Sequence, residues 1–252
     1  MGSSPAKNSV SPHPVLSEYY DNSSARRARV DQMFDSSAAH YDWITDMMSF
    51  GSGAWYRDQA LKRAGLKEGM KTLDVGAGTG VVSLLSQKIV GDNGLVIALD
   101  PSKGMLSEAK ESGVEQITMG LGEALPFPDN TFDMLTMGYA LRHVADLNSA
   151  FTEYLRVLKP GGKILLLEIT RPESGLARSL LKFYMKGIIP TLTRIFRRSA
   201  DAQVLMRYYW DTIEQCVPPK TIVEALEASG ANESQRHVVM GIFSEYTGLK
   251  KA

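Results

Sequence analysis

Apolar residues recur along this chain in two periods, and the way those periods follow one another predicts strands and helices in turn. Over 26–50, Val30, Met33, Phe34, Tyr41, Ile44 and Met48 recur at helical spacing, interrupted by the small residues of FDSSAAHYD. This predicts two helical pieces around a polar joint. A helix over 56–64 leads into a strand at 72–75. VVSLLSQKIV (81–90) holds no turn residue and predicts a helix packed on a sheet, closed by Gly91-Asp92-Asn93-Gly94. The order then repeats: strand 95–99, helix 102–112, strand 116–120, strand 134–138, helix 147–158, strand 163–169. Strands alternating with helices imply an α/β fold, a parallel sheet with right-handed crossovers covered on both faces.

KPGG (159–162) stops a helix and turns into the near-continuous apolar run ILLLE, the pattern of a central strand. Thr221-Ile222-Val223-Glu224 has capping-box spacing for a helix that would stop at Gly230. The segments 234–239 and 242–247 flank Met240-Gly241 and predict a hairpin. The stretch 174–219 has helical composition and is too long for a plain loop, so a cap or lid is expected there. Residues 1–25 are rich in Ser, Pro and Asn and are expected to be a disordered tail. That leaves 26–252 as a single domain with an N-terminal helical lid over 26–55 and the helical insertion over 174–219.

Composition narrows the chemistry. Lys+Arg and Asp+Glu each total 28 in 252 residues, so no global field attracts nucleic acid. The single cysteine, Cys216, excludes an internal disulfide and a cysteine metal cage, and suits a reducing cytoplasm. The four histidines, His13, His40, His143 and His237, have no metal-collecting spacing, so metal-free chemistry is expected. No apolar run reaches the roughly 18 residues of a membrane span.

The candidate chemistry gathers at LDVGAGTG (73–80), where an apolar strand ends in Asp74 and breaks into Gly76, Gly78 and Gly80. Glycine admits positive φ and close approach by a ligand, although an ordinary strand-to-helix turn would read the same way. A dinucleotide fingerprint would need a third glycine at 81, which is Val81. A second acid, Asp100, ends the next apolar run roughly 20 residues on, placed to accept both hydroxyls of a ribose.

LDVGAGTG, the acidic strand end at Asp100, LPFPDNTFDML (125–135) and LRVLKPGGKILLLE (155–168) together resemble the motifs of class I S-adenosylmethionine methyltransferases. FDSSAAHYDWITDMMSFG (34–51), EALPFPDNTFD (123–133) and ALRHVAD (140–146) narrow the likeness to the ubiquinone/menaquinone biosynthesis C-methyltransferases. It runs from about Val30 to the C-terminus. The resemblance implies a Rossmann-like fold with a mostly parallel seven-stranded sheet, helices on both faces, a C-terminal antiparallel hairpin and a helical lid insertion. It implies S-adenosylmethionine as methyl donor, S-adenosylhomocysteine as product and a small aromatic acceptor. Cofactor contacts would then come from Asp74, Gly76, Gly78, Thr79, Gly80, Asp100, Pro101, Met105, Leu121, Gly122, Glu123 and Gly138, with Met105 serving equally well as helix core.

Methylating an aromatic carbon needs electron density there, which ionising a neighbouring phenol supplies. The matching family segment carries an Arg-Asn pair after the fourth strand, whose arginine is implied to help deprotonate the quinol through water. Here the pair is Arg142-His143. Arginine suits a phenolate or a water better than a proton, whereas histidine titrates near neutrality. His143 therefore also opens O-methylation, and an O- or N-methyltransferase of another small molecule stands as the alternative. Tyr139 is a further candidate, and Tyr41, with His40 and Asp42, is expected at the lid and the substrate. An NAD-dependent oxidoreductase fits less well because Val81 stands where its fingerprint needs glycine and no hydride-transfer constellation is present, and a non-catalytic nucleotide-binding module would gain nothing from Arg142-His143 or a lid.

In the insertion, Arg178, Lys182 and Lys186 recur at i+4 beside Leu180, Leu181, Phe183, Tyr184, Ile188 and Ile189. Gly187 and Pro190 are expected to break this helix, and Arg194, Arg197 and Arg198 to resume it. The stripe reads either as a solvated face over a lid core or as a surface for anionic lipid. A peripheral membrane contact and a homodimer both stay open as partners.

Overall fold

The computed structural model describes residues 9–48, 52–191 and 200–252. Seven strands form one sheet: β1 (Lys71–Val75), β2 (Leu95–Asp100), β3 (Gln116–Met119), β4 (Phe132–Gly138), β5 (Leu158–Ile169), β6 (Ala231–Val239) and β7 (Phe243–Lys250). Their order is β3-β2-β1-β4-β5-β7-β6, with the pairs among β1 to β5 parallel and β7 antiparallel to both its neighbours. The helices are α1 (Ser23–Met48), α2 (Gly53–Ala64), α3 (Val81–Val90), α4 (Lys103–Glu111), α5 (Leu147–Val157), α6 (Gly175–Phe183), α7 (Ala200–Gln215) and α8 (Pro219–Ala228). This is a Rossmann-like class I arrangement.

Ile164 to Leu167 are apolar without alternation because β5 is covered on both sides. Ile164 and Leu166 join Phe151, Tyr154 and Leu226 in the core under α5 and α8, while Leu165 and Leu167 join Leu61, Val82 and Val90 under α2 and α3. Burying each such side chain contributes about 2 kcal/mol. The strand starts earlier than expected, at Leu158, so KPGG lies inside it at a register shift opposite Phe132 and Met134.

A third core belongs to the lid. Val30 and Met33 of α1 meet Leu205, Met206, Tyr208, Tyr209, Trp210 and Ile213 of α7, with Met185 and Ile189 beyond α6. Here several expectations need correction. The polar joint does not divide α1, which runs unbroken for 26 residues. Ser36 returns its hydroxyl to the Met33 carbonyl at 3.2 Å, whereas the Ser37 hydroxyl is buried without a hydrogen-bond partner, so tertiary packing rather than polar pairing holds the helix through this stretch.

The N-terminal tail is also ordered where it is described. Leu16 and Tyr20 are buried in the lid core, and the backbone of Val10 bonds Asp146 Oδ2 at 2.7 Å and the Leu147 amide at 2.9 Å. Its few apolar residues suffice because they join an existing core; residues 1–8 lie outside the described ones.

Gly187 and Pro190 do not break the helix, which passes through a π-helical turn at Tyr184–Ile188 and continues to 191. A widened turn accommodates the proline's missing N–H. Arg194, Arg197 and Arg198 lie outside the described residues. The capping box at Thr221 is unused, since α8 begins two residues earlier with Pro219 in its first turn, where no N–H is needed.

Candidate active site

The carboxyl ends of β1, β2 and β4 open onto a cavity of about 350 Å³, at the point where the strand order reverses between β1 and β4. Lid helices α1 and α7 form the opposite wall.

At the β1 end the three glycines play different parts. Gly78 lines the cavity with φ +56°, and a Cβ there would meet no protein atom within 4 Å. Gly76 also lines it, but its missing Cβ makes room for Ala140, 2.6 Å from where a Cβ would stand. Gly80 caps α3 in the left-handed region, packed on Val114 and Ala109 away from the cavity. Thr79 is buried and likewise does not line it. Asp74 is fully buried and accepts from Ser83 Oγ at 2.6 Å and Thr136 Oγ1 at 2.8 Å. It ties β1 to α3 and β4 rather than facing a ligand, and burial pushes its carboxyl up to about 6.

Asp100 does face the cavity. Oδ2 accepts from the Gly78 amide at 2.8 Å and Oδ1 from the Ser102 amide at 2.9 Å. Burial pushes its carboxyl up to about 6 against those two bonds, with Asp31 and Asp35 adding to the rise. Pro101, Met105, Leu121, Gly122, Glu123 and Gly138 line the same cavity. Glu123 is fixed by the Ala145 amide at 2.6 Å and pairs with Arg27 at 3.4 Å.

The loop after β4 divides the Arg142-His143 pair. Tyr139 takes φ +62° and donates its amide to Leu167 at 2.8 Å, with Arg57 over its ring at 4.9 Å. The turn that follows sends Arg142 inward. Its guanidinium is fully buried, bonding Glu168 Oε2 at 2.8 Å, Thr212 Oγ1 at 2.6 Å and the Tyr139 carbonyl at 3.3 Å, and stacking on Tyr209. It does not line the cavity, so direct contact with a phenolate is not its role in this geometry.

His143 does line it. Its ring packs edge-on against Phe34 and stacks on Tyr208, Nδ1 lies 3.2 Å from the Tyr208 hydroxyl, and Nε2 is buried without a partner. Burial, then the charges of Arg142 and Arg26, hold its pKa well below 6.5, so the imidazole is neutral. Tyr41 completes this wall, its hydroxyl 2.9 Å from that of Tyr209. The side chains of His40 and Asp42 lie outside the described ones.

Arg26, Arg27, Val30, Asp31 and Phe34 of α1, and Tyr209 of α7, line the cavity without having been singled out in the sequence. Val30 and Phe34 belong to the helical spacing of the sequence, but nothing in that spacing separates cavity wall from core. The lid is clasped shut by Asp35, which accepts from Ser102 Oγ and, at 3.0 Å, from the Gly104 amide at the start of α4.

Against this geometry stand the comparisons with known proteins. The family model described as "ubiE/COQ5 methyltransferase family" matches residues 22–250. The ubiquinone/menaquinone biosynthesis C-methyltransferase UbiE of Saccharophagus degradans is 34% identical over 230 residues, covering 88% of this chain and 91% of its own length. Among solved structures, a SAM dependent methyltransferase from Aquifex aeolicus aligns with a TM-score of 0.58 and 22% identity, covering 77% of this chain and 89% of that one. Phosphoethanolamine N-methyltransferase 2 of Haemonchus contortus, in complex with S-adenosyl-L-methionine, aligns at 0.63 and 18%, covering 90% of this chain and 60% of that one. At these identities the structural likeness establishes the fold alone.

Proposed function

The chain belongs to the ubiE/COQ5 methyltransferase family, and from that premise we propose that this S-adenosylmethionine-dependent methyltransferase alkylates a ring carbon of a quinol or related phenol. The single observation that supports a phenolic acceptor is His143, a neutral imidazole in an aromatic-walled cavity, while the likeness to C-methyltransferases supports the ring carbon.

The residues suit the methyl donor. Each Asp100 oxygen accepts one backbone N–H and keeps a further lone pair for a ribose diol. Pro101, Met105 and Leu121 offer an apolar slot for adenine, and Gly78 leaves open space for the methionine part. When bound, the donor supplies an electrophilic methyl on its sulfonium, leaving S-adenosylhomocysteine as product. Asp31, Asp100 and Glu123 share the cavity wall with Arg26 and Arg27, and Glu123 is paired with Arg27, so the lining carries charges of both signs.

The acceptor ring would stack among Phe34, Tyr41 and Tyr139. With its proton on Nδ1, donated to Tyr208, His143 would offer Nε2 to a phenolic O–H once ligand entry uncovers that buried nitrogen. Burial and the nearby arginines keep it unprotonated and make it a weak base, so it draws the phenolic proton toward itself by a hydrogen bond rather than holding it. Arg142 acts as a positioning residue, pinning the loop that carries Tyr139 and His143 to β5 and α7. The described parts of the lid, α1 and α7, would exclude water from the cavity, and action on a small molecule rather than a polyanion accords with zero net charge.

The same free Nε2 would serve O-methylation of a phenol, the second reading. A labelled-methyl screen over demethylquinols and simple phenols separates them: transfer to quinols is expected, and transfer confined to other acceptors would overturn the proposal.

A further inference from the structure

We propose that the outer face of α6 docks the protein on an anionic lipid surface. Leu176, Leu180 and Phe183 are 72, 61 and 65% exposed. At 3.6 residues per turn they fall within about 60° of one another on the helix. On the opposite side Leu181, Tyr184 and Met185 pack into the lid core. This helix therefore has two apolar faces, and only one has a partner within the described residues. Scattered apolar residues on a surface are ordinary, whereas three on one face mark a contact site.

Charge selects the occupant. Residues 175–200 contain Arg178, Lys182, Lys186, Arg194, Arg197 and Arg198 and no acidic residue, in a chain whose total charge is zero. Arg178 is paired with Glu214, and Lys186 with Asp211 at 2.6 Å, both on α7. Lys182, about 100° round the helix from Phe183, has no ion pair among the described residues. A second copy of the chain would bring like charge against this segment, whereas anionic headgroups bring the opposite charge and the acyl boundary takes the apolar side chains. Because Met185 and Ile189 share a core with the cavity-lining Tyr209, docking would bring the lid itself to the bilayer. The sequence offered this basic stripe as a surface for anionic lipid, and the structure adds which apolar side chains of the same helix stand exposed.

Co-sedimentation of the full chain at low salt, with phosphatidylcholine vesicles with and without phosphatidylglycerol, tests the proposal without cofactor or acceptor. Its failure would thus leave the proposed reaction standing. Preference for the anionic vesicles is expected, weakening as salt is raised. Lys182→Gln should lower that binding by about fivefold, and the double variant Leu180→Asp, Phe183→Asp by about tenfold or more. All three side chains are exposed, and an unchanged melting temperature verifies the fold. Equal binding to both vesicles, no binding, or a double variant that binds like the parent would overturn the proposal. So would self-association abolished by the double variant in a protein that ignores vesicles, which would assign the face to a second copy.

Discussion

Arg142 and Glu168 form a fully buried ion pair, Nε to Oε2 at 2.8 Å, that ties the turn after β4 to the end of β5. The same guanidinium reaches Thr212 in the lid, so one side chain joins the catalytic loop, the sheet and α7. Removing one partner leaves an uncompensated buried charge. Arg142→Ala should lower the unfolding free energy by about 3–5 kcal/mol, measured by urea denaturation, and should slow methyl transfer by loosening Tyr139 and His143. A variant as stable as the parent would show that the pair does not hold the loop.

His143→Ala, with donor saturating, should slow single-turnover methyl transfer by about a hundredfold or more, with little change in donor affinity. Because burial holds the imidazole neutral well below pH 6.5, the parent's rate should show no histidine inflection at that pH. Near-parental rates in His143→Ala, or a rate that halves near pH 6.5 and loses that inflection in the variant, would contradict the assignment.

Donor affinity should depend on Asp100, whose carboxyl burial raises from 3.8 to about 6. An acid raised on folding stabilises the folded chain below its unfolded pKa and loses that contribution as pH rises through about 6. Binding has the opposite sign, since a ribose diol needs the carboxylate as acceptor. Calorimetry should find affinity falling up to about tenfold per pH unit below pH 6. Asp100→Asn should bind weakly and without that slope. Asp74 titrates in the same range but does not face the cavity, so a slope that survives in Asp100→Asn would move the assignment there.

The Asp35 clasp should govern closure of α1 over the cavity. Asp35→Ala removes the acceptor for Ser102 Oγ and the Gly104 amide, a loss of about 1 kcal/mol by analogy with a helix cap. Donor dissociation should speed up about fivefold, and α1 amides should exchange faster. Unchanged exchange in α1 would show that the lid is held elsewhere.

Much of this was legible in the sequence where physics is local. The strands from 72 to 169 follow from apolar runs closed by turn residues, and α3 spans 81–90 as its pattern predicts. The glycine loop and Asp100 indicated a nucleotide site because backbone conformation and a carboxylate at a strand end are written in neighbouring residues. What stayed hidden depends on contacts distant in the chain. Arg142 and His143 are adjacent, yet one is buried against Glu168 and the other faces the cavity, a division made by a tight turn and by α7. Asp74 and Gly80 matched a binding motif but serve packing between β1, α3 and α4. Leu16 and Tyr20 looked too sparse to order a tail, and α1 looked divided, because the lid core that holds both is assembled with α7 more than 150 residues away.

The most direct test of the central claim is where the methyl group goes. With isotope-labelled methyl donor and a demethylated quinol, product NMR should place the label on a ring carbon, in a reaction that His143→Ala slows. A label on oxygen, or transfer to no quinol while another small molecule accepts it, would contradict the account.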